Sequence, residues 1–178
     1  AFTYKGDIYT VPVAGGRAMQ ITTNPAYDTA PVWSPDSKRI AFASDRMGSL
    51  DVYIVAKDGG EPRRLTTHSG SETPLAFTDA GHVLFSAGIM PSAEAVVFPS
   101  NGQFNQVYRV SVEGGRPTMI SSMPMECISI NKEGAMLYQD KKGYEDYWRK
   151  HHVSPIARDI WMYTPGKEPQ YRQLTTFG

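Results

Sequence analysis

The sequence predicts an all-β fold: a β-propeller arc of four-stranded antiparallel blades, about three and three-quarter blades long and a fragment of a larger propeller. Three observations carry this. One hairpin phrase occurs four times, roughly 44 to 55 residues apart. A second hairpin phrase precedes it in each later copy, so a full unit holds four short strands, A to D. The chain also opens inside such a unit rather than at its start.

The first phrase is fullest from Asp51 to Thr67: an alternating strand, an Asp-Gly-Gly turn, and a short strand ending in Leu-Thr-Thr. It returns from Asp7 with Gln20-Ile-Thr-Thr23, from Gln106 with Met119-Ile-Ser-Ser122, and from Asp159 with Gln173-Leu-Thr-Thr176. The Gly-Gly pairs at 15–16, 59–60 and 114–115 supply the positive φ that tight hairpins need. The second phrase is fullest from Ala30 to Arg46, with strand A ending at Trp33, a Ser34-Pro-Asp-Ser37 turn, and strand B from Arg39 to Ser44. Thr73 to Ala87 and Glu126 to Gln139 are degenerate copies.

Taken in order, the units are 1–23 (partial), 30–67, 73–122 and 126–176. Ala1-Phe-Thr-Tyr4 aligns with Ala41–Ser44, Leu84–Ala87 and Leu137–Asp140, so the chain starts in a B strand with its strand A missing. In strand A, Trp33, Phe77 and Ile130 share a phase with Pro31, Leu75 and Ile128, while Val32, Ala76 and Ser129 face the other way. An inner strand between two blades is expected to show such bulk on one face only. In strand C the aromatics Tyr9, Tyr53, Tyr108 and Trp161 recur at one position and read as inter-blade packing rather than a ligand platform. Exposed strand edges at the ends of the arc invite self-association.

Two insertions break the period, Gly88–Asn105 and Asp140–Arg158, both between strands B and C. B–C loops emerge on the same rim as D–A loops, which marks that rim as the functional face. Within the second insertion, Tyr144, Tyr147, Trp148 and His151 fall on one side of a short helix expected over Tyr144–His152.

Eighteen basic residues balance eighteen acidic ones, which argues against the basic stripe of a nucleic-acid binder. No apolar run approaches the roughly 18 residues of a membrane span, and no signal peptide is expected within this segment. The single cysteine, Cys127, lies in an apolar strand and is expected to be a small buried core residue.

The phrase from Pro31 to Arg46, followed by Asp51-Val-Tyr and Leu65-Thr-Thr, resembles the TolB-type (WD-like) propeller repeat. The resemblance covers essentially the whole chain, with Ser37 where the family usually has Gly. The stretch Lys142 to His152, followed by Arg158-Asp-Ile-Trp161, is similar to the N-terminal propeller of tricorn-like serine peptidases of Bacteroides-type bacteria. That resemblance implies a segment that gates, filters or docks peptide substrate ahead of a catalytic part, in the periplasm or cell envelope.

No Gly-x-Ser-x-Gly elbow, His-Glu-x-x-His helix, paired Cys-x-x-Cys or phosphate-cradling loop occurs, so no catalytic residue and no cofactor is expected. His151 and His152, being adjacent, point apart, and no metal site is expected there. Asp28, Asp45, Arg46, His68 and Glu72 fall near the rim of the insertions, as turn caps and blade-to-blade salt bridges or as a polar ring at a channel mouth. The expected protein- or peptide-binding residues are Tyr144, Tyr147, Trp148, His151, His152, Arg46, His68 and Glu72. Three functions stay open: a non-catalytic substrate-gating or docking segment of a tricorn-like peptidase, a TolB-like interaction scaffold, and a propeller enzyme acting in its channel.

Overall fold

The computed structural model describes residues 1–88, 105–140 and 158–176, and among these fifteen strands form four antiparallel sheets with no helix. The first sheet holds β1 (Phe2–Tyr4), β2 (Asp7–Thr10) and β3 (Met19–Gln20). The second holds β4 (Asp28–Trp33), β5 (Arg39–Ser44), β6 (Asp51–Ala56) and β7 (Arg63–Arg64). The third holds β8 (Glu72–Asp79), β9 (His82–Ala87), β10 (Gln106–Ser111) and β11 (Thr118–Ser121). The fourth holds β12 (Met125–Ile130), β13 (Met136–Asp140), β14 (Ile160–Thr164) and β15 (Gln170–Gln173). Each sheet is ordered as its strands occur in the chain, the meander of a propeller blade, three strands in the first and four in the others. The helix expected over Tyr144–His152 lies outside the described residues. No helix among the described residues is long and apolar enough to cross a membrane.

The second and third sheets bury both faces against neighbours, and the first and fourth bury one each. Ile8 and Ile21 of the first sheet pack with Ile40, Phe42, Tyr53 and Val55 of the second. The other face of the second sheet, with Ala41, Val52, Ile54 and Leu65, packs with Phe77, Phe85 and Tyr108 of the third. Leu84 and Val107 then meet Met125, Met136, Tyr138 and Tyr163 of the fourth. Two rings of the strand C aromatic column lie in these joints, Tyr53 stacked on Phe42 at 6.0 Å and Tyr108 on Phe85 at 5.6 Å, while Tyr9 stacks on Phe2 at 5.8 Å on the outer face of the first sheet. Each such pair contributes about 0.5–1.5 kcal/mol beyond the area it buries. The forward face of the fourth sheet is different. There Leu137 and Ile160 are 44% and 46% exposed, whereas their counterparts Ala41 and Val52 are at 0%.

The D strands are shorter than the recurring phrase suggests, because a hydroxyl replaces part of the ladder. The amides of Ile21, Leu65 and Leu174 donate to the carbonyls of Ile8, Val52 and Ile160, each at 2.8 Å. The amides of Ile8, Val52 and Ile160 then donate to the next threonine hydroxyls, Thr22, Thr66 and Thr175, at 3.0, 2.9 and 2.9 Å. The threonine after Ile21, Leu65 and Leu174 thus ends the strand pairing while keeping the facing strand C amide bonded.

Strand A corrects two expectations. Its pairing with strand B breaks register between Thr29 and Val32 and again between Glu126 and Ser129. At each break a residue takes left-handed φ, Ala30 and Cys127, both at 52°. The third copy has Pro74 at that position, whose ring forbids positive φ, and its break falls between Pro74 and Ala76. The bulge turns Cys127 outward, so the thiol is exposed and not a core residue. The simple alternation of strand A also fails to equalise the copies. Phe77 is buried at 4%, but Trp33, beside the three-stranded first sheet, is 39% exposed.

Candidate functional site

The antiparallel pairing brings the start of strand A, the end of strand B and the start of strand C to one rim. Asp28 lies opposite Ser44, and Ser44 opposite Asp51. Glu72 lies opposite Ala87, and Ala87 opposite Gln106. Met125 lies opposite Asp140, whose amide donates to the Asp159 carbonyl. The residues that anchor both insertions, Ala87 with Gln106 and Asp140 with Asp159, therefore stand on the same rim as Asp28, Arg46 and Glu72.

The carboxylates opening strand C are held by the D phrase behind them. Asp7 accepts from Gln20 Nε2 at 3.0 Å and from the Thr22 hydroxyl at 3.4 Å. Asp159 accepts from Gln173 Nε2 at 2.9 Å and from the Thr175 hydroxyl at 3.1 Å. Asp51 has Arg64 instead of a glutamine, with Nη2 2.8 Å from Oδ2. That pair is close enough for an ion pair but lies off the line of a directed hydrogen bond. This explains why Asp-x-Tyr and Gln/Arg-Leu-Thr-Thr travel together in the sequence: they are two halves of one polar clasp.

Arg46 is committed within the chain. Its Nη2 donates to both oxygens of buried Asp28, at 3.1 and 3.0 Å, and its Nε donates to Ser44 Oγ at 2.8 Å. The guanidinium also lies over the rings of Tyr53 and Phe42, 4.6 and 5.6 Å from their centroids. It lines a cleft of about 230 Å³ with Thr22, Thr23, Asn24 and Glu61. Asp45 accepts from the Tyr27 amide at 2.8 Å and so caps the turn.

His68 Nδ1 accepts from the Gly70 amide at 3.0 Å, leaving the buried Nε2 without a partner. Glu72 is fully buried, and neither of its oxygens receives a directed hydrogen bond. Burial pushes its carboxyl up to about 7, helped by the Asp51 charge and opposed by the Thr66 hydroxyl, Arg64 and the His68 backbone amide. Asp51 is also raised, again chiefly by burial. Arg46, His68 and Glu72 are thus brought to one rim, and all three are engaged or buried between blades. Tyr144, Tyr147, Trp148, His151 and His152 lie outside the described residues. Among the described residues, no group of three or more His, Cys, Asp or Glu side chains could hold a metal ion.

A second cleft, missed by sequence reasoning, opens on this rim between the third and fourth sheets. It measures about 240 Å³ and is lined by Leu75, Ser86, Asn105, Pro124, Met125, Glu126 and Cys127. Asn105 ends the first insertion, and Arg158, which ends the second, donates to Glu126. Its lining combines apolar Leu75, Pro124 and Met125 with polar Ser86, Asn105 and Glu126. The strand A bulge opens it, since the outward turn at Cys127 re-aims the strand there.

Comparison with known proteins agrees with this architecture. The family model described as the tricorn protease N-terminal beta propeller domain matches residues 1–178. Tricorn protease homolog 1 of Streptomyces coelicolor is 24% identical over 163 residues, covering 91% of this chain and 14% of its own length. The Tol-Pal system protein TolB of Bordetella pertussis is 44% identical over 55 residues, 30% of this chain and 13% of that protein. This chain thus spans only about a seventh of these relatives. Among solved structures, the putative TolB of Agrobacterium tumefaciens superposes with a TM-score of 0.65 at 21% identity, covering 93% of this chain and 55% of that one. With a full-length family match and the blade architecture in place, the chain belongs to the family of tricorn protease N-terminal β-propeller domains.

Proposed function

We propose that this propeller segment is a non-catalytic docking and gating element that handles peptide substrate for a tricorn-like peptidase of the cell envelope. The observation that carries the reading is that the described ends of both insertions stand at the cleft between the third and fourth sheets: Asn105 lines it, and Arg158 donates to Glu126, which lines it too. The cleft holds an extended segment, and the insertion residues Tyr144, Tyr147, Trp148, His151 and His152 contact it, since aromatic side chains with a polar tip are favoured at interfaces. Arg46, His68 and Glu72 support the rim from below. The peptidase context rests on the family match and on the Streptomyces coelicolor relative.

The exposed thiol tests this directly, because Cys127 is the chain's single cysteine and lines the cleft. A photoreactive group attached to Cys127 should cross-link added unstructured peptides. The double substitution Tyr147→Ala with Trp148→Ala should reduce that capture while leaving Tm within a few degrees. Cross-linking no higher than with a denatured control rules out the cleft. The TolB similarity favours a second reading, an interaction scaffold for folded envelope proteins. That scaffold would capture a folded partner and ignore unstructured peptides.

A further inference from the structure

Glu72 is the structural counterpart of Asp28. Each is the first residue of strand A, and each amide donates to the carbonyl just before strand C of the preceding sheet: Asp28 to Gly6 and Glu72 to Leu50, both at 2.7 Å. Asp28 is neutralised by Arg46, two residues beyond the end of strand B. Two residues beyond the end of β9 the sequence has Ile89, and the insertion 88–105 contains no Lys, Arg or His. The loop that replaces the arginine brings no cation.

The groups facing Glu72 from the second sheet and its following connection are Asp51, Arg64, Thr66 and His68. On its own sheet it is paired with uncharged Ala87. Two fully buried carboxylates, Asp51 and Glu72, therefore share one guanidinium, and that guanidinium sits 2.8 Å from Asp51. Burying a second negative charge there is costly unless it takes up a proton.

We propose that the Glu72 carboxyl is a proton-binding switch in the joint between the second and third sheets, tightening the joint when protonated and loosening it when ionised. It is independent of the docking role. Its folded form holds the proton more tightly than the unfolded chain, about 7 against an ordinary value of 4.5. The stabilisation is therefore complete below about 4.5 and is lost as pH rises through about 7.

Urea unfolding of the full chain and of Glu72→Gln at pH 5 and pH 8 tests this. The wild-type folding constant should fall at least about tenfold more than that of the variant over this range. Equal pH dependence in the two proteins would overturn the switch. Should the glutamine variant fail to fold, carboxyl-labelled wild-type protein can be titrated by carbon NMR. One glutamate titrating near 7 supports the proposal, and all of them titrating at about 4–5 refutes it.

Discussion

The joint between the first and second sheets and the joint between the second and third share a backbone plan but neutralise their carboxylates differently. In the first joint, Asp7 is clasped by Gln20 and Thr22, and Asp28 by Arg46 Nη2, which donates to both of its oxygens while the guanidinium lies over the Tyr53 ring. In the second, Asp51 and Glu72 share the one Arg64 guanidinium, which sits against Asp51. Strand register delivers the carboxylates to the rim in both places. Loop sequence decides whether each meets a partner. The repeated part of a propeller thus sets where charge is buried, and the unrepeated part sets how that charge behaves.

The sharpest break of this comparison is Arg46→Ala, which strips a buried carboxylate of its partner. It should cost about 3 kcal/mol in urea unfolding, because Asp28 is then buried and uncompensated. A loss below about 1 kcal/mol would mean that the two joints are not different in kind. Next is Arg64→Met, expected to cost about 1–2 kcal/mol at neutral pH and more at pH 8 than at pH 5, since Glu72 is ionised only at the higher value. An equal cost at both pH values would show that Glu72 and Asp51 do not compete for that guanidinium.

Smaller effects refine the contrast. Thr66→Val removes the acceptor of the buried Val52 amide and should cost about 1–2 kcal/mol in thermal unfolding. Thr22→Val should cost a similar amount, since it removes both the acceptor of the Ile8 amide and a donor to Asp7. Gln20→Ala, which removes an exposed hydrogen bond to Asp7, should change stability by under about 0.5 kcal/mol. A larger loss there would show that the first joint leans on its clasp as heavily as the second leans on Arg64.

Much of the fold was legible because a blade is built locally: the Gly-Gly turns at 59–60 and 114–115 take positive φ as their hairpins require. The aromatic column from Tyr9 to Tyr108 was read as packing, and its rings stack on strand B. The rim position of Arg46, His68 and Glu72 was also legible, by counting along strands. Their partners were not, because each is supplied by a residue whose approach depends on a loop's path. Cys127 was misread for a related reason: alternation assumes an unbroken ladder, and a bulge reverses the facing of what it carries.

The sequence by itself determined the four-fold repeat, the strand order within each blade and the placement of both insertions between strands B and C, since hydrogen-bonded meanders and turns follow from near neighbours in the chain. Only the tertiary structure decided that Asp28 has Arg46 to itself while Glu72 shares Arg64 with Asp51, and that a cleft opens beside Cys127. Those outcomes depend on how adjacent blades approach and what water they exclude. The free energy of a buried charge is set by the groups surrounding it in space, many of them distant along the chain.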